Sequence, residues 1–264
     1  MYQNPGPIHI CIAGTGNLGT HLANSALPDK IKVTHVIGHS LENAKMFAGR
    51  YQASFDNTFL NIPKNTRFVI LALPDDRIAS CCKELADYEG VVVHCSGALP
   101  MDALAAAKHF GVMYPLQTFS KERNLYLKHV PFFVEACNAE TLHDMQQLAS
   151  CYTENIWEVN SQVRKQIHLA AVLSNNFINH LLSYSKNLLD EVDMPFEILH
   201  PLLKETIEKA MLLGPENAQT GPAVRRDKNT IETHLNSLQN KPDMQEYYTL
   251  ITKLIQDHGK NNAR

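Results

Sequence analysis

Three glycines near the start of the chain have the spacing of a phosphate-binding turn. Gly14, Gly16 and Gly19 form a Gly-x-Gly-x-x-Gly pattern between an apolar run, 8–13, and a segment with helical spacing. In a strand–turn–helix unit these glycines permit the tight turn, the approach of a diphosphate and close helix packing. The first N–H groups of the helix then face the phosphate charge. The predicted dinucleotide site consists of Gly14, Thr15, Gly16, Asn17, Leu18 and Gly19.

The residues after the predicted second strand (31–38) indicate whether the site prefers NAD or NADP. His39 and Ser40 stand where a site for NAD usually has an acid that binds the ribose 2′-hydroxyl. An acid there would repel a 2′-phosphate, whereas an imidazole and a hydroxyl at a helix N-terminus donate hydrogen bonds to one. Ser40 is also a suitable N-cap for the next helix, and the two roles are compatible. We therefore expect NADP rather than NAD as the cofactor.

The order of the segments predicts an α/β fold in two domains. Up to about residue 160, apolar runs of strand length alternate with helical segments, and after it the pattern is helical. This predicts a Rossmann-type doubly wound, mostly parallel sheet, residues 1–160, followed by an all-helical domain, residues 161–264. Ligands of such sheets bind at the carboxyl ends of the strands. The residues expected along that edge after later strands are Leu73, Pro74, Asp75 and Ser96.

A long helix over 164–189 carries the candidate catalytic residues. At about 100° per residue, its polar side chains share one narrow stripe. The stripe holds Ser161, Arg164, Lys165, His168, Asn175, Asn179 and Ser183. It is either a solvated face or the wall of a cleft, and burial of such groups without partners would cost about 1–3 kcal/mol each. His168 is the candidate acid–base group because imidazole titrates near neutral pH.

Neighbouring polar residues complete the candidate site. Asn175 and Asn176 are expected to hydrogen-bond a polar substrate, and Ser96 to bind cofactor or substrate. Arg226, together with Arg225, has the forked donor geometry that clamps a carboxylate or phosphate. Each also has a structural interpretation: His168 as a histidine satisfied at an interface, and Arg226 as a residue that shapes its loop beside Asp227.

Bulk composition excludes several classes of partner. The chain has 264 residues and a formal charge of −3, which gives no reason to expect nucleic acid or an anionic membrane. No apolar run approaches the length of a membrane span. Met1–Pro7 lacks the basic and apolar regions of a signal peptide, and the six cysteines show no zinc spacing. We expect a cytoplasmic protein with reduced thiols and no metal.

Motifs along nearly the whole chain resemble those of a bacterial family of proposed NADP oxidoreductases. They are Gly-Thr-Gly-Asn-Leu-Gly, Leu-Ala-Leu-Pro-Asp, His94–Gly97, Tyr114–Phe119, the helix with His168 and Asn175–Asn176, and Thr220–Leu235. This family has a Rossmann-like domain and an uncharacterised helical domain, and is similar to pyrroline-carboxylate reductases and β-hydroxyacid dehydrogenases. The resemblance implies that Gly14–Gly19 hold the diphosphate, that Leu73–Asp75 lie along the cofactor, and that the helical domain forms a homodimer.

One departure from the wider group concerns catalysis. β-Hydroxyacid dehydrogenases have a catalytic lysine three residues before an Asn-Asn pair, and this chain has Val172 there. His168 or Lys165 would have to replace it. We expect NADP-dependent hydride transfer to or from a small polar carbonyl or imine acid. Two alternatives stay open: a non-catalytic NADP-binding sensor or scaffold, and an imine reductase like the pyrroline-carboxylate reductases.

Overall fold

A computed structural model describes residues 6–261, with side chains up to residue 257. Residues 1–5, which contain most of the segment used for the signal-peptide expectation, lie outside it. The strands are β1 (Ile8–Ala13), β2 (Ile31–Ile37), β3 (Ser54–Asp56), β4 (Phe68–Leu71), β5 (Val91–His94), β6 (His109–Pro115), β7 (Phe132–Ala136) and β8 (Ile156–Glu158). The longer helices are α1 (Asn17–Asn24), α2 (Leu41–Ala48), α3 (Asp75–Lys83), α4 (Ala139–Ser150), α5 (Ser161–Ala171), α6 (Phe177–Asp190) and α7 (His200–Leu213). Two short helices, α8 (Pro215–Ala218) and α9 (Pro222–Arg225), precede α10 (Lys228–Ser237) and α11 (Pro242–Asn261).

The described strands form one sheet in the order β3-β2-β1-β4-β5-β6-β7-β8. Every neighbouring pair is parallel except β6 and β7, which are antiparallel. The predicted doubly wound, mostly parallel sheet is therefore confirmed. The carboxyl ends of β1, β2, β4, β5 and β6 lie along one side of the sheet, which we call the carboxyl edge.

The central strands β1, β4 and β5 are mostly apolar, and side chains on both faces of the sheet are buried. In β1, Ile10 and Ile12 belong to one buried cluster, while Cys11 and Ala13 belong to the cluster on the other side. The same alternation occurs in β4, where Phe68 belongs to the first cluster and Val69 to the second. Runs of this kind are typical of parallel strands buried on both faces, which is why these strands could be predicted from the sequence.

Two local elements differ from the expectations. The edge strand β3 lies in a segment, residues 53–63, whose composition predicts a turn-rich connection. Its Ser54 hydroxyl donates to the Thr34 carbonyl and lies 2.7 Å from His35 Nδ1. The spacing in residues 101–108 predicts a helix, and this prediction is wrong because only a 3₁₀ turn, Met101–Leu104, forms. Successive i→i+3 hydrogen bonds continue to Ala107, so the buried side chains recur every three residues.

The expected continuous helix from 164 to 189 is interrupted by a π turn, Val172–Asn176. The Ser174 hydroxyl donates to the Ala170 carbonyl at 2.9 Å, which is the acceptor that the Ser174 N–H would use in a regular α-helix. The wider turn changes the angular position of every later residue. The positions of Asn179 and Ser183 therefore differ from those calculated at 100° per residue.

The chain divides into two compact units, residues 1–176 and 177–264. The sequence-based boundary was at 160/161. The structural boundary lies later because α5 packs with the sheet: Arg164 is fully buried and its guanidinium pairs with Glu135 of β7. We call the two parts the sheet unit and the helical unit.

None of the helices within residues 6–261 has both the length and the apolar composition needed to span a membrane.

Candidate functional site

The glycine turn lies at the carboxyl end of β1, and its three glycines have different surroundings. Gly14 has φ +114°, and a Cβ on it would lie 2.2 Å from the Ala72 carbonyl oxygen. A Cβ on Gly19 would lie 2.0 Å from the Gly14 carbonyl oxygen. At Gly16 a Cβ would meet no heavy atom within 4 Å, and the residue is exposed. At Gly14 and Gly19 the absence of a side chain thus lets two backbone segments come into contact, whereas at Gly16 it leaves open space beside the turn.

The N-terminus of α1 lacks the capping found on other helices. In α2, α4, α5 and α10 a side-chain oxygen accepts a hydrogen bond from the third N–H of the helix. The N-cap of α1 is Gly16, which has no side chain, and its first turn holds no acid. Because the first N–H groups of a helix have no partner within it, those of Asn17, Leu18 and Gly19 are available to an anion.

Residues at the ends of β2 and β4 lie beside this turn along the carboxyl edge. Ser40 caps α2 by accepting from the Asn43 N–H at 3.3 Å, and His39 is exposed. After β4, Leu73 is the side chain that approaches Gly14, and Pro74 is the N-cap of α3. Asp75, also exposed, is the first residue of α3. The strand order therefore places all three predicted cofactor segments on one edge.

Ser96 joins two of these strand ends. Its hydroxyl donates to Asp75 Oδ2 at 2.9 Å and accepts from the N–H groups of Ala98 and Leu99 at 3.1 and 2.9 Å. These contacts give Ser96 a structural function in the turn after β5, and its expected contact with a ligand stays a prediction.

His94, at the end of β5, is fully buried. Its Nδ1 accepts from the Ser96 N–H at 3.2 Å. Burial first, and then the positive charge of Arg164, lower the pKa of His94 to about 4, although a hydrogen bond with the Pro100 backbone opposes the shift. A neutral, enclosed imidazole of this kind supports the strand end. These contacts are those of a buried strand residue.

A groove of about 710 Å³ runs from α1 to α5 within the sheet unit. Its walls come from the start of α1, the end of β6 with the loop after it, and the end of α5 with the π turn. Asn17 ties α1 to that loop by donating to the Phe119 carbonyl at 2.9 Å, and His21 Nε2 lies 2.8 Å from the Ser120 carbonyl oxygen. The lining residues are Asn17, Leu18, Tyr114, Leu116, Gln117, Thr118, Phe119, Ile167, His168, Ala170, Ala171, Val172, Ser174, Asn175 and Asn176.

Five predicted site residues line this groove: Asn17, Leu18, His168, Asn175 and Asn176. They come from opposite ends of the sheet unit's sequence. Asn175 and Asn176 are exposed in the π turn. The lining thus offers amide, hydroxyl and imidazole groups on a wall that is otherwise apolar. Pockets of this size and composition are typical of sites for small molecules.

His168 makes its closest polar contact with Tyr114, a residue that the sequence analysis did not single out. The Tyr114 hydroxyl lies 3.1 Å from His168 Nδ1. Burial raises the pKa of Tyr114. Both rings lie against Gly97, where a Cβ would be 2.6 Å from His168 Nδ1 and 2.8 Å from Tyr114 Cζ. Gly97, three residues after the end of the buried strand β5, was the available signal for this close approach.

Arg164 holds α5 in place one turn before His168. Its guanidinium pairs with Glu135 and donates to the Leu99 carbonyl at 2.7 Å. Glu135 also accepts from the N–H and hydroxyl of Ser161, at 2.9 and 2.7 Å. Residues four apart share one face of a helix, so these contacts direct His168 toward the sheet as well. For Arg164 and His168 the solvated-face interpretation is wrong, whereas Lys165 on the same turn is exposed.

Arg226 belongs to the helical unit. It has φ +55°, and its guanidinium donates to the Gln256 carbonyl at 3.3 Å. The adjacent Asp227 caps α10 by accepting from the Thr230 N–H at 3.1 Å. These contacts support a loop-shaping function for this pair, and the carboxylate clamp stays a prediction. In the described part of the chain, no group of three or more His, Cys, Asp or Glu side chains is arranged to hold a metal ion.

Comparisons with known proteins agree with this architecture. Residues 130–255 match the model of a domain of unknown function, DUF2520. A crystal structure from Bacteroides fragilis, described as a "putative NADP oxidoreductase", is 33% identical, with 95% of this chain and 98% of that chain covered and a TM-score of 0.88. A search of the curated proteins gave no match.

Two more distant structures share the fold. A Thermotoga maritima protein is 22% identical, with a TM-score of 0.79 and coverage of 95% of this chain and 99% of that chain. A pyrroline-5-carboxylate reductase from Streptococcus pyogenes is 13% identical, with a TM-score of 0.62 and coverage of 98% and 100%. The sequence identity of 33% with the Bacteroides protein, over 95% of this chain, shows which family the chain belongs to. This chain belongs to the same family as that protein, with a Rossmann-like N-terminal sheet and a helical C-terminal part; the DUF2520 match begins before β7 and continues through most of the helical unit.

Proposed function

We propose that this protein is an NADP-dependent oxidoreductase that transfers a hydride to or from a small polar carbonyl or imine acid. The observation that carries the proposal is the groove, which joins the uncapped start of α1 to His168 and Asn175 in one continuous space. A cofactor-binding turn and a candidate acid–base group that share a cavity are what hydride transfer requires of a protein. The relative from Bacteroides fragilis, described as an NADP oxidoreductase, supports the same assignment.

The residues of the glycine turn fit a dinucleotide. The free N–H groups of Asn17, Leu18 and Gly19 would hold the diphosphate, and the open space at Gly16 would receive it. Bound NADPH would supply the hydride. The protein's own part is to orient the acceptor and to hold a proton near it, for which His168, Asn175 and Asn176 line the groove.

The same turn gives a test of cofactor binding in which folding is not at risk. Gly16→Ala adds a methyl group where the protein has open space and φ is −74°, so the apoprotein should lose at most about 1 kcal/mol of stability. That methyl group would occupy the position of the diphosphate. We expect NADPH to raise the melting temperature of the wild type and of Gly6→Ala, a control glycine with similarly open surroundings, but not of Gly16→Ala. Equal stabilisation of all three proteins, or of none, would refute the site.

The preference for NADP rests on Ser40 and His39. The Ser40 oxygen accepts from the Asn43 N–H, which leaves the hydroxyl proton free to donate to a 2′-phosphate. Asp56, at the end of the neighbouring strand β3, is held within its own loop by Asn61 Nδ2 at 2.6 Å and by the Asn57 N–H at 2.7 Å.

Ser40→Asp tests this preference, because aspartate caps a helix as well as serine does. The new carboxylate should weaken binding of NADPH at least tenfold and leave binding of NADH unchanged or stronger. Ser40→Asn, which also caps but carries no charge, is the control. If Ser40→Asp binds NADPH as the wild type does, the 2′-phosphate lies elsewhere.

Catalysis can be separated from mere binding of the cofactor. We expect a screen of small keto acids, imines and hydroxy acids to show NADPH-linked turnover, and His168→Gln to lower its rate while NADPH still binds. The sensor or scaffold alternative predicts binding without turnover of any of these compounds. The open groove beside His168 favours the enzyme, because a scaffold needs no such space.

The partner we propose is a second copy of this chain, bound through the helical unit. Helices α6 and α7 bury none of their residues, and α7 leaves Met211 and Leu212 each 82% exposed. An apolar surface of this kind is typical of an interface. Met211→Glu should convert a dimer to a monomer in analytical ultracentrifugation, whereas Gln147→Glu on the exposed face of α4 should not. A monomeric wild type would contradict the proposal.

We also propose a cytoplasmic location, because all six cysteines are free thiols and four of them are buried.

A further inference from the structure

Tyr114 and His168 form a side-chain pair across 54 residues of sequence, at the inner wall of the groove. The Tyr114 hydroxyl lies 3.1 Å from His168 Nδ1. The two rings meet edge to face, with centroids 5.8 Å apart and an interplanar angle of 78°. Both residues line the groove and both are half-buried, so the pair faces the space available to a ligand.

The number of acceptors near the Tyr114 hydroxyl favours one direction for this hydrogen bond. A tyrosine hydroxyl carries one proton and requires an acceptor when it leaves water. Among the residues that the structure describes, His168 Nδ1 is the one acceptor within reach of the Tyr114 hydroxyl. If Nδ1 carried a proton, the phenol proton would have no protein acceptor. With the phenol as the donor, the neutral form of His168 carries its proton on Nε2.

Gly97 fixes which edge of the imidazole faces the groove. A Cβ at Gly97 would lie 2.6 Å from His168 Nδ1 and 2.7 Å from Cγ, so this edge of the ring packs directly on the glycine. Nε2 is on the opposite edge of the ring, away from Cγ. Within the described part of the chain, Nε2 has no hydrogen-bond partner, whereas Nδ1 is occupied by Tyr114. The nitrogen left for a ligand is therefore Nε2.

We propose that Tyr114 is a positioning residue that holds His168 as its Nε2–H tautomer, so that the groove presents one imidazole N–H to a carbonyl oxygen of the substrate. This deepens the proposed function and rests on it for the identity of the acceptor. A carbonyl oxygen accepts such a hydrogen bond, whereas a protonated iminium group offers no acceptor. The pair thus favours carbonyl compounds over iminium compounds as substrates.

The tautomer can be measured without a substrate. Two-dimensional ¹H–¹⁵N spectra of protein labelled with ¹⁵N-histidine, at a pH where imidazole is neutral, distinguish Nε2–H from Nδ1–H. The signals of His168 are those missing from His168→Gln. In the wild type we expect the Nε2–H form to predominate. Tyr114→Phe keeps the ring and removes the hydroxyl, and the ratio of Nε2–H to Nδ1–H should then fall about two- to tenfold, as expected for the loss of one hydrogen bond.

Tyr88→Phe is the matched control, because it removes another half-buried phenol, whose hydroxyl donates to the Thr66 carbonyl at 2.9 Å. It should leave the His168 tautomer ratio unchanged. A wild type with predominant Nδ1–H, or an unchanged ratio in Tyr114→Phe, overturns the proposal. If Tyr114→Phe does not fold, the wild-type spectrum alone still decides between the two tautomers.

Failure of this inference is distinguishable from failure of the proposed function. NADPH binding is read from the melting temperature of the same samples, independently of the histidine spectra. A lower ratio of Nε2–H to Nδ1–H in Tyr114→Phe than in the wild type, together with no NADPH-induced shift, would retain the Tyr114 assignment and refute the cofactor. Once a carbonyl substrate is found, Tyr114→Phe should change the pH profile of kcat, whereas Tyr88→Phe should not.

Discussion

The sheet unit and the helical unit differ in where their apolar side chains lie. The sheet unit buries two apolar clusters, one on each side of the sheet, with residues such as Ile12 and Leu71 completely enclosed. Among the side chains described from 177 to 257, the buried apolar ones are Ala223 and Leu238. The first unit is therefore stabilised by its own interior, whereas the second leaves most of its apolar side chains at least partly exposed. Most stability measured on a dilute sample should come from the sheet unit.

The largest expected difference between the units concerns ion pairs. Glu135→Ala would leave the fully buried Arg164 without its carboxylate and should lower the free energy of unfolding by about 3–5 kcal/mol. Glu191→Ala removes the partner of Lys241 in the helical unit, where the two side chains are 51% and 27% exposed, and should cost less than about 1 kcal/mol. Urea denaturation of both variants measures the contrast. Similar losses would mean that the second ion pair is as enclosed as the first.

A matched pair of leucines tests the interiors directly. Leu71→Ala opens a cavity in the sheet unit and should cost about 2–5 kcal/mol. Leu212 is 82% exposed, so Leu212→Ala should change the stability of the monomer by no more than about 0.5 kcal/mol. Denaturation at several protein concentrations gives a further distinction. The effect of Leu212→Ala should grow with concentration if a second copy covers this side chain, and a large effect at the lowest concentration would show that the helical unit buries it unaided.

The sheet unit should also be the part that acid destabilises first. His94 is fully buried, and its pKa falls to about 4 from 6.5. The unfolded chain binds a proton near pH 6.5, which the folded chain does not bind until about pH 4. The stabilisation is thus complete above about pH 6.5 and is lost as the pH falls toward 4, by about 3 kcal/mol. His94→Asn should flatten this part of a stability–pH curve. Burial lowers the pKa of His35 too, so some slope should persist, and an unchanged slope would exclude His94 as its source.

The smallest expected difference in stability loss is between substitutions of two glycines with positive φ, one in each unit. Gly14→Ala combines a strained φ of +114° with a contact of 2.2 Å and should cost about 2–3 kcal/mol. Gly214, at the end of α7, has φ +81° but no neighbour closer than 3.6 Å, so Gly214→Ala should cost about 1 kcal/mol. Thermal denaturation compares them. Equal losses would show that backbone strain, rather than close packing behind the turn, makes Gly14 necessary.

Much of the sheet unit could be predicted because its signals are local. The apolar runs of β1 and β4 and the glycine spacing after β1 each specify a conformation within a few residues. Short exposed elements could not be predicted in this way. The edge strand β3 is polar and held by His35 and Thr34 of the neighbouring strand, which no pattern within residues 54–56 reveals.

The groove was predicted only in part, for a related reason. His168 and Asn175 were recognised from their types and spacing, and the structure places both in the same cavity. The contact of His168 with Tyr114 depends on packing between residues far apart in sequence. Within the π turn the Ser174 hydroxyl donates to the Ala170 carbonyl. A calculation that assumes regular helix geometry does not reveal such a turn. The contact of Arg226 with an anionic group of a ligand stays a prediction.

The reversed direction of β7 sets the course of the chain that follows. Both β7 and β8 run away from the carboxyl edge. After a turn at Val159 and Asn160, α5 runs back toward that edge, from Ser161, which contacts Glu135, to His168, which contacts Tyr114. After a strand of the usual orientation, a returning helix would move away from the carboxyl edge and carry its imidazole with it. The two inverted strands, β7 and β8, thus bring His168 beside Tyr114 at the carboxyl edge without a long insertion.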